Sequence, residues 1–186
     1  LMVGYPYRFR PEVLEVKRLL AEGAIGKPLF ARNTFAGLFK DVDQTWLVNK
    51  AIAGGGIVLD NGSHSIDLFH FLFGRTRRVS ARTGRVHPGI EVEDTALILL
   101  EMDNGVTGTI ELSWSVPYPR ECYLEIYGTQ GTIEAKFGEA RWRNLSSPQW
   151  VCIEATNDFQ DGFDNEIAHF LQCIRQRRHP SVGPVE

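Results

Sequence analysis

Cysteine is scarce. Cys122, Cys152 and Cys173 are the only three in 186 residues, they stand far apart, and no Cys-x-x-Cys pair occurs. That excludes a disulfide framework and a zinc ribbon, and reads each thiol as a small buried group in a reducing compartment. A charge excess of either sign is also missing. The net charge is −3, which removes the electrostatic case for nucleic acid. Two basic clusters, at 75–78 and 175–178, are too short to change that and read as helix C-terminal or solvated charge. No apolar run approaches the ~18–20 residues that span a bilayer, and no signal peptide leads the chain. No membrane partner is expected, and a soluble cytoplasmic protein follows. A Gly-x-Ser-x-Gly elbow is absent. So is a Gly-x-Gly-x-x-Gly strand-turn-helix, so no dinucleotide site of the usual kind is expected in this chain.

What is present suits a packed core. Hydrophobic residues make up 43% of the sequence, enough for one ordinary domain over 1–186. The start, Leu1-Met2-Val3-Gly4, reads like the middle of a strand, and the last residues carry no closing element. The chain therefore reads as a piece of a longer protein.

The stretch 3–9 reads as a strand end running into a loop. Pro11 then opens a helix with Val13, Val16, Leu19 and Leu20 on one face, ended by Gly23 and Gly26. A strand is expected over 28–39, a loop with Trp46 over 41–50, and a central helix over about 55–73. Strands follow at 79–86, 95–102, 106–115, 122–127, 131–136 and 150–154. Asp103-Asn104-Gly105 and Gly128-Thr129-Gln130-Gly131 are hairpin signals, and the short links imply antiparallel pairing. A last helix over 158–178 places Phe163, Ile167, Phe170, Leu171 and Ile174 on one face. Helices clustered at the ends of a strand meander predict an α+β fold, a mostly antiparallel open sheet with helices on one face. The sheet's other face is expected to meet a partner subunit.

Chemistry concentrates in Gly54-Gly55-Gly56-Ile57-Val58-Leu59-Asp60-Asn61-Gly62-Ser63-His64-Ser65-Ile66-Asp67. At about 100° per residue, Asp60, His64 and Asp67 share one helical face. A histidine can take a hydroxyl proton near neutral pH, and a carboxylate can orient it or raise its pKa. Spacing alone fits an inert surface pair better. Asp67 fits either a second partner for His64 or a structural hydrogen-bonding group. Gly62 inside a helix costs roughly 1 kcal/mol against alanine, which points to close approach by a backbone or a ligand. Asp60, His64 and Asp67, with His70 nearby, offer metal ligands too. However, zinc spacings are absent and His70 falls well round the helix, so no metal is expected.

This run resembles the signature of the Gfo/Idh/MocA oxidoreductases, the glucose-fructose oxidoreductase and inositol dehydrogenase family: two glycines, an apolar stretch, then Asp-x-x-x-His-x-x-Asp. Gly4-Tyr5 with Arg8-Phe9-Arg10-Pro11, Gly23 to Gly26, Trp46, Glu93-Asp94-Thr95, Asn104-Gly105-Val106, Tyr127-Gly128-Thr129-Gln130-Gly131-Thr132 and Asn165-Glu166-Ile167-Ala168-His169-Phe170 fall in the family's order. The resemblance implies the family's C-terminal domain, which is glyceraldehyde-3-phosphate dehydrogenase-like and carries the substrate site and oligomer interface. It implies NAD or NADP held mainly by an N-terminal Rossmann domain that this chain does not contain. It also implies redox chemistry at a sugar, cyclitol or polyol hydroxyl, in a dimer or tetramer. His64 would exchange the hydroxyl proton and Asp60 would bind substrate or tune its partners. Trp46, Asp67 and Arg8 are expected at the substrate and Tyr5 at the cofactor. Core packing for Trp46 and a carboxylate pairing for Arg8 are equally open. Asp94 is expected to be structural, and Asn165 and Glu166 to cap or pair within the last helix. The Glu-Lys-Pro lysine that completes such sites is not in this chain, so alone it is expected to be inactive. A non-catalytic sugar sensor or scaffold of the same fold, and an NAD-dependent glycoside hydrolase, are the competing readings.

Overall fold

A computed structural model describes residues 1–155 and 160–183. The chain begins with a 3-10 turn at Pro6–Phe9, where a strand end was expected. Pro6 and Pro11 fix φ and withhold two N–H donors, so this stretch turns instead of pairing. Helix α1 follows at Pro11–Ala21 with Pro11 in its first turn, and it buries Val13, Val16 and Leu19. Gly23 and Gly26 leave it with φ of +70° and +69°, a conformation that favours glycine.

Strand β1 covers Pro28–Ala36. The expected loop after it is tightly wound. It contains 3-10 turns at Val42–Gln44 and Trp46–Val48, then a one-turn helix α2 at Lys50–Ala53. Asn49 caps α2, its Oδ1 accepting from Ala51 and Ile52 N–H at 3.0 and 3.2 Å. Helix α3 spans Asn61–Phe73 and stops at Gly74. The strands are β2 Thr76–Gly84, β3 Thr95–Met102, β4 Thr107–Ser113, β5 Leu124–Gly128, β6 Gly131–Lys136, β7 Glu139–Asn144 and β8 Ser147–Glu154. Helix α4 covers Gln160–Gln176. Its expected start at Asp158 lies outside the described residues.

These strands form one eight-stranded sheet in the order β2-β3-β4-β1-β5-β6-β7-β8. Both hairpins read from the sequence are present, joining β3 to β4 and β5 to β6. Antiparallel pairing is nearly complete, with one exception: β1 lies parallel to β4, Phe30 facing Thr107 through Ala36 facing Ser113. The link after β4 does not close a hairpin. It opens the sheet so that β1, made much earlier in the chain, inserts between β4 and β5. The architecture is the expected α+β one, an open sheet covered by helices on one face. Strand β7 was not anticipated. Arg141 and Arg143 hide its period of two, while Ala140 and Trp142 point toward the helix layer.

The helices reach the sheet through small residues. A Cβ on Gly62 of α3 would stand 3.1 Å from Leu112 Cδ1 of β4, and one on Gly108 of β4 would fall onto the Phe69 ring of α3. The close approach signalled by Gly62 is thus to a strand. Helix α1 lies over β6 and β7. Helix α4 departs from expectation: it packs on the opening 3-10 turn, with Gly162 against the Pro6 carbonyl and Arg10. Its apolar stripe is left open, with Ile167, Leu171 and Ile174 54%, 47% and 57% exposed. The sheet's uncovered face mixes Phe30, Leu97, Leu99 and Tyr127 with Arg–Glu pairs such as Arg32–Glu111, Arg32–Glu125 and Arg141–Glu134.

The opening turn is tied down from two sides. Arg8 grips Asp67 of α3 through Nε (3.0 Å) and Nη2, with both side chains buried. Arg8 Nη1 also donates to the Ser181 carbonyl at 3.1 Å. From α4, Glu166 Oε1 accepts the Tyr5 N–H at 2.6 Å and Asn165 Nδ2 donates to the Phe9 carbonyl at 3.1 Å. Asn165 and Glu166 therefore pair across to the turn and not within their own helix. A desolvated pair of this kind is costly to break from one side only. Arg8→Met is expected to destabilise the fold by about 3 kcal/mol, and Arg8→Met with Asp67→Leu by clearly less, in urea unfolding. A double variant as unstable as the sum of the two singles would deny the coupling.

Candidate active site

The glycine-rich run is not the start of a helix. Gly54 turns with φ of +79°. The Glu93 carboxylate then accepts N–H bonds from Gly56 and Val58 at 3.0 and 3.2 Å, and its carbonyl accepts the Ile57 N–H at 2.9 Å. A Cβ on Gly56 would overlap that carbonyl, so only glycine allows the approach. Segment 54–60 is thereby held against the chain before β3, and α3 begins six residues later than the period suggested, at Asn61 against an expected 55. Asp94, next to Glu93, has the structural role expected: its carboxylate accepts from Val86 and His87 N–H and from Ser115 Oγ.

The correction moves Asp60 off the helix. It occupies the N-cap position, one turn before His64, and its carboxylate makes no capping bond. An aspartate there normally accepts an N–H of the first turn, worth about 1 kcal/mol. Asp60 forgoes this and lines a recess of ≈610 Å³ together with Phe35, Phe39, Trp114, Tyr123 and Phe137. The neighbouring Asn61 accepts the Trp114 indole N–H at 3.2 Å, fixing that wall.

His64 sits between two rings of the opening turn. Tyr5 meets it edge-on at 5.8 Å between centroids, and Tyr7 lies tilted at 5.5 Å. Its Nδ1 is buried and has no partner among the described residues. Burial pushes the His64 pKa down, while Asp60 and then Asp67 pull it up, so the neutral base is favoured. Burial likewise raises the Asp60 carboxyl against the pull of His64. Tyr7 packs on Phe35, Tyr123 and Phe137, and so joins His64 to the recess. Burial pushes its hydroxyl up to about 12, which keeps it a neutral donor or acceptor at pH 7. Tyr123 is fixed by its hydroxyl donating to buried Glu12 at 2.9 Å, and Glu12 in turn pairs with Arg10.

The structure brings Asp60, His64 and Tyr5 together. Arg8 and Asp67, expected at the substrate, are turned on each other one helical turn beyond His64. Trp46 stands 62% exposed and is not among the residues lining the Asp60 recess. Sequence reasoning missed Tyr7, Phe137, Trp114 and Glu93. Tyr7 carried one signal, its place directly before Arg8 in the Tyr5-Pro6-Tyr7-Arg8 turn. The others reach the site from strand ends far away in sequence. Among the described residues, no cluster of three or more His, Cys, Asp or Glu side chains is placed to hold a metal ion. None of their helices is long and apolar enough to cross a membrane.

The family model described as the GFO/IDH/MocA C-terminal domain matches residues 13–134. The chain is 38% identical to the D-apiose dehydrogenase of Rhizobium rhizogenes over 74% of its own length and 41% of that protein. It is 28% identical to the scyllo-inositol 2-dehydrogenase (NAD(+)) of Bacillus subtilis, over 99% of itself and 55% of the relative. An oxidoreductase from Agrobacterium radiobacter, solved with NAD+, L-tartaric acid and magnesium, superposes with a TM-score of 0.85 at 26% identity, covering 98% of this chain and 57% of that one. Levoglucosan dehydrogenase with NADH and levoglucosan shares the fold at a TM-score of 0.89 and 22% identity, over 97% and 58% of the two chains. The chain spans about half the length of the curated relatives it matches. Matched over more than half its residues by that family model, this chain belongs to the GFO/IDH/MocA family through its C-terminal domain.

Proposed function

We propose that the whole protein is an NAD(P)-dependent dehydrogenase or reductase of a sugar, cyclitol or polyol hydroxyl. In this reading residues 1–186 are its substrate-binding and oligomerisation domain. The relatives named for D-apiose and scyllo-inositol support the substrate class, and those bound to NAD+ and NADH support the cofactor. The observation that carries the reading is local: an uncapped aspartate on the rim of an aromatic recess, one turn from a half-buried histidine whose pKa burial pushes down.

The residues fit a sugar and a nicotinamide. Rings around the recess offer flat faces to C–H surfaces, and Asp60 offers hydrogen-bond acceptors to hydroxyls. His64, whose Nδ1 has no hydrogen-bond partner among the described residues, is the base of this reading. Tyr5, edge-on to His64, is the residue of this chain set to border the nicotinamide. A bound nicotinamide supplies the hydride acceptor or donor. His64 accepts the hydroxyl proton as the carbinol becomes a carbonyl, and returns it in the reverse direction. Asp60 stabilises the histidinium so formed and orients the hydroxyl. Arg8 and Asp67 act through the opening turn, holding Tyr5 and Tyr7 around His64. Trp46 contributes from the rim of the loop that precedes the glycines. The dinucleotide phosphates have no glycine cradle here and fall to a Rossmann domain elsewhere in the protein, as does the lysine of the third catalytic position. Three free thiols suit a cytoplasmic location.

His64→Ala in the full protein is expected to lower kcat about 1000-fold with its polyol substrate, read from nicotinamide absorbance. Unchanged turnover would refute the role. Saturable polyol binding with no absorbance change in the wild type would favour a sensor. The neutral imidazole is the working base for oxidation, so the rate is held at high pH and lost as pH falls through a pKa below 6.5. Asp60 raises that pKa, so Asp60→Asn should move the acid limb to still lower pH. A limb that stays put would show that Asp60 does not act on His64.

A homo-oligomer through the uncovered sheet face is the second part of the proposal. Leu97, Leu99 and Phe30 are 55%, 43% and 50% exposed there, and the flanking Arg–Glu pairs can exchange partners across a two-fold axis. Leu97→Glu is expected to shift the protein toward the monomer in sedimentation, with its circular dichroism unchanged. An unaltered mass would place the interface elsewhere.

A further inference from the structure

A second cavity, of ≈790 Å³, opens on the far side of α3 from the Asp60 recess, between α3, α1 and the opening turn. Its charge is one-sided. Arg8, Lys17 and Arg75 line it against a single carboxylate, Asp67, which is already bound to Arg8. Among the described residues, neither Lys17 nor Arg75 has an acidic partner within ion-pair distance. Lys17 is not simply waving in solvent. Its ammonium stands 3.5 Å from the centre of the Phe71 ring, and the Arg8 guanidinium lies 5.2 Å from the same ring. A ring that holds two cations places like charges near one another, and of the two only Arg8 has a carboxylate partner among the described residues, Asp67. Burial, and then the charge of Arg8, both push the Lys17 pKa down, as they should for a cation lacking a counter-charge. His70, whose Nε2 lies 3.0 Å from Thr76 Oγ1, stands on the same wall and adds a further nitrogen. The backbone does not help: α3 presents its C-terminal, electronegative end here, so side chains alone make the cavity positive.

Cations without an acidic partner are what a phosphate group needs, and here Lys17 rests on a ring while Arg75 is exposed at the cavity mouth. We propose that this cavity binds a phosphate-bearing small molecule, with Lys17 and Arg75 as its direct ligands. The site adjoins the proposed chemistry, shares Tyr5 with it, and is coupled to it. Arg8 is shared between the cavity and Asp67, and Asp67 acts electrostatically on His64. A phosphate drawn to Arg8 would loosen the grip on Asp67 and alter the setting of His64. The proposal does not depend on the dehydrogenase reading, because its readout is binding.

The test is calorimetric titration of the full protein with inorganic phosphate and, separately, with ADP-ribose, at fixed ionic strength. Saturable binding of inorganic phosphate is expected, weakened at least tenfold by Lys17→Gln or Arg75→Gln and retained by Lys17→Arg. Lys40→Gln, an exposed lysine outside the cavity, should bind as the wild type does. If only ADP-ribose binding responds to Lys17→Gln, the phosphate belongs to the dinucleotide and the same two side chains are still its ligands. No saturable binding of either compound overturns the proposal and leaves the cations to an acidic protein surface. Equal affinity in Lys17→Gln, Arg75→Gln and wild type, with circular dichroism showing all three folded, overturns it as well.

Discussion

A guanidinium and a carboxylate, both buried, decide where the opening turn of this domain lies against α3. Arg8 and Asp67 are 59 residues apart in sequence, one on a turn and one on a helix. Their pairing lays the Tyr5–Tyr7 segment along α3. Everything said of His64 follows from that placement: its two ring neighbours, its burial and its lowered pKa. Arg8 also holds the Ser181 carbonyl, and Glu166 holds the Tyr5 N–H. Segments from the start, middle and end of the chain thus meet around one side chain. Such a pair adds little net stability once desolvation is counted, but it penalises any other placement of the turn by leaving a buried charge unmatched.

The second constraint is the clamp of Glu93 on Gly56 and Val58. It stops α3 from starting early, and so puts Asp60 beside the recess instead of on the helix face. There two opposed effects act on the same couple. Burial drives His64 toward the neutral imidazole and Asp60 toward the neutral acid, while each pulls the other toward its charged form. The proton transfer proposed between substrate and His64 turns on this balance. A drier site would make the histidine too weak a base, and a wetter one would leave it protonated near neutral pH.

Much of this was legible in the sequence, and the remainder failed for physical reasons. Val13, Val16 and Leu19 announce α1, and Asn104-Gly105 announces its hairpin, because both signals are local. The Asp60–His64 spacing is local too, and it found the couple, although the glycines before it pointed to a longer helix than exists. A backbone contact with Glu93, some 37 residues on, is invisible to any periodicity. The same holds for β1 inserting between β4 and β5, which no short-range pairing rule suggests. Helix α4 misled in another way. Its apolar stripe is real, but here that stripe faces outward, and the contacts that position the helix come from Gly162, Asn165 and Glu166. Trp46 was expected as a wall for a sugar because a flat apolar face suits a sugar ring, whereas the recess at Asp60 is lined by Phe35, Tyr123 and Phe137, three rings gathered from three strands or their ends.

Charge is sorted across α3, and the sorting bears on what each side can hold. In the recess at Asp60 the one lining cation among the described residues is Arg120, and both Glu125 oxygens already accept from it at 2.8 and 2.6 Å. The remaining charges there, Asp60 and Glu121, are negative. An anionic substrate would enter against that field with no free cation to meet it, whereas a neutral polyol presents hydroxyl donors to the same carboxylates. On the opposite side of the helix the unmatched charges are positive. A ligand carrying both a neutral carbinol and a phosphate would be pulled two ways, and the two sides of α3 are therefore built for different molecules or for different parts of one assembly.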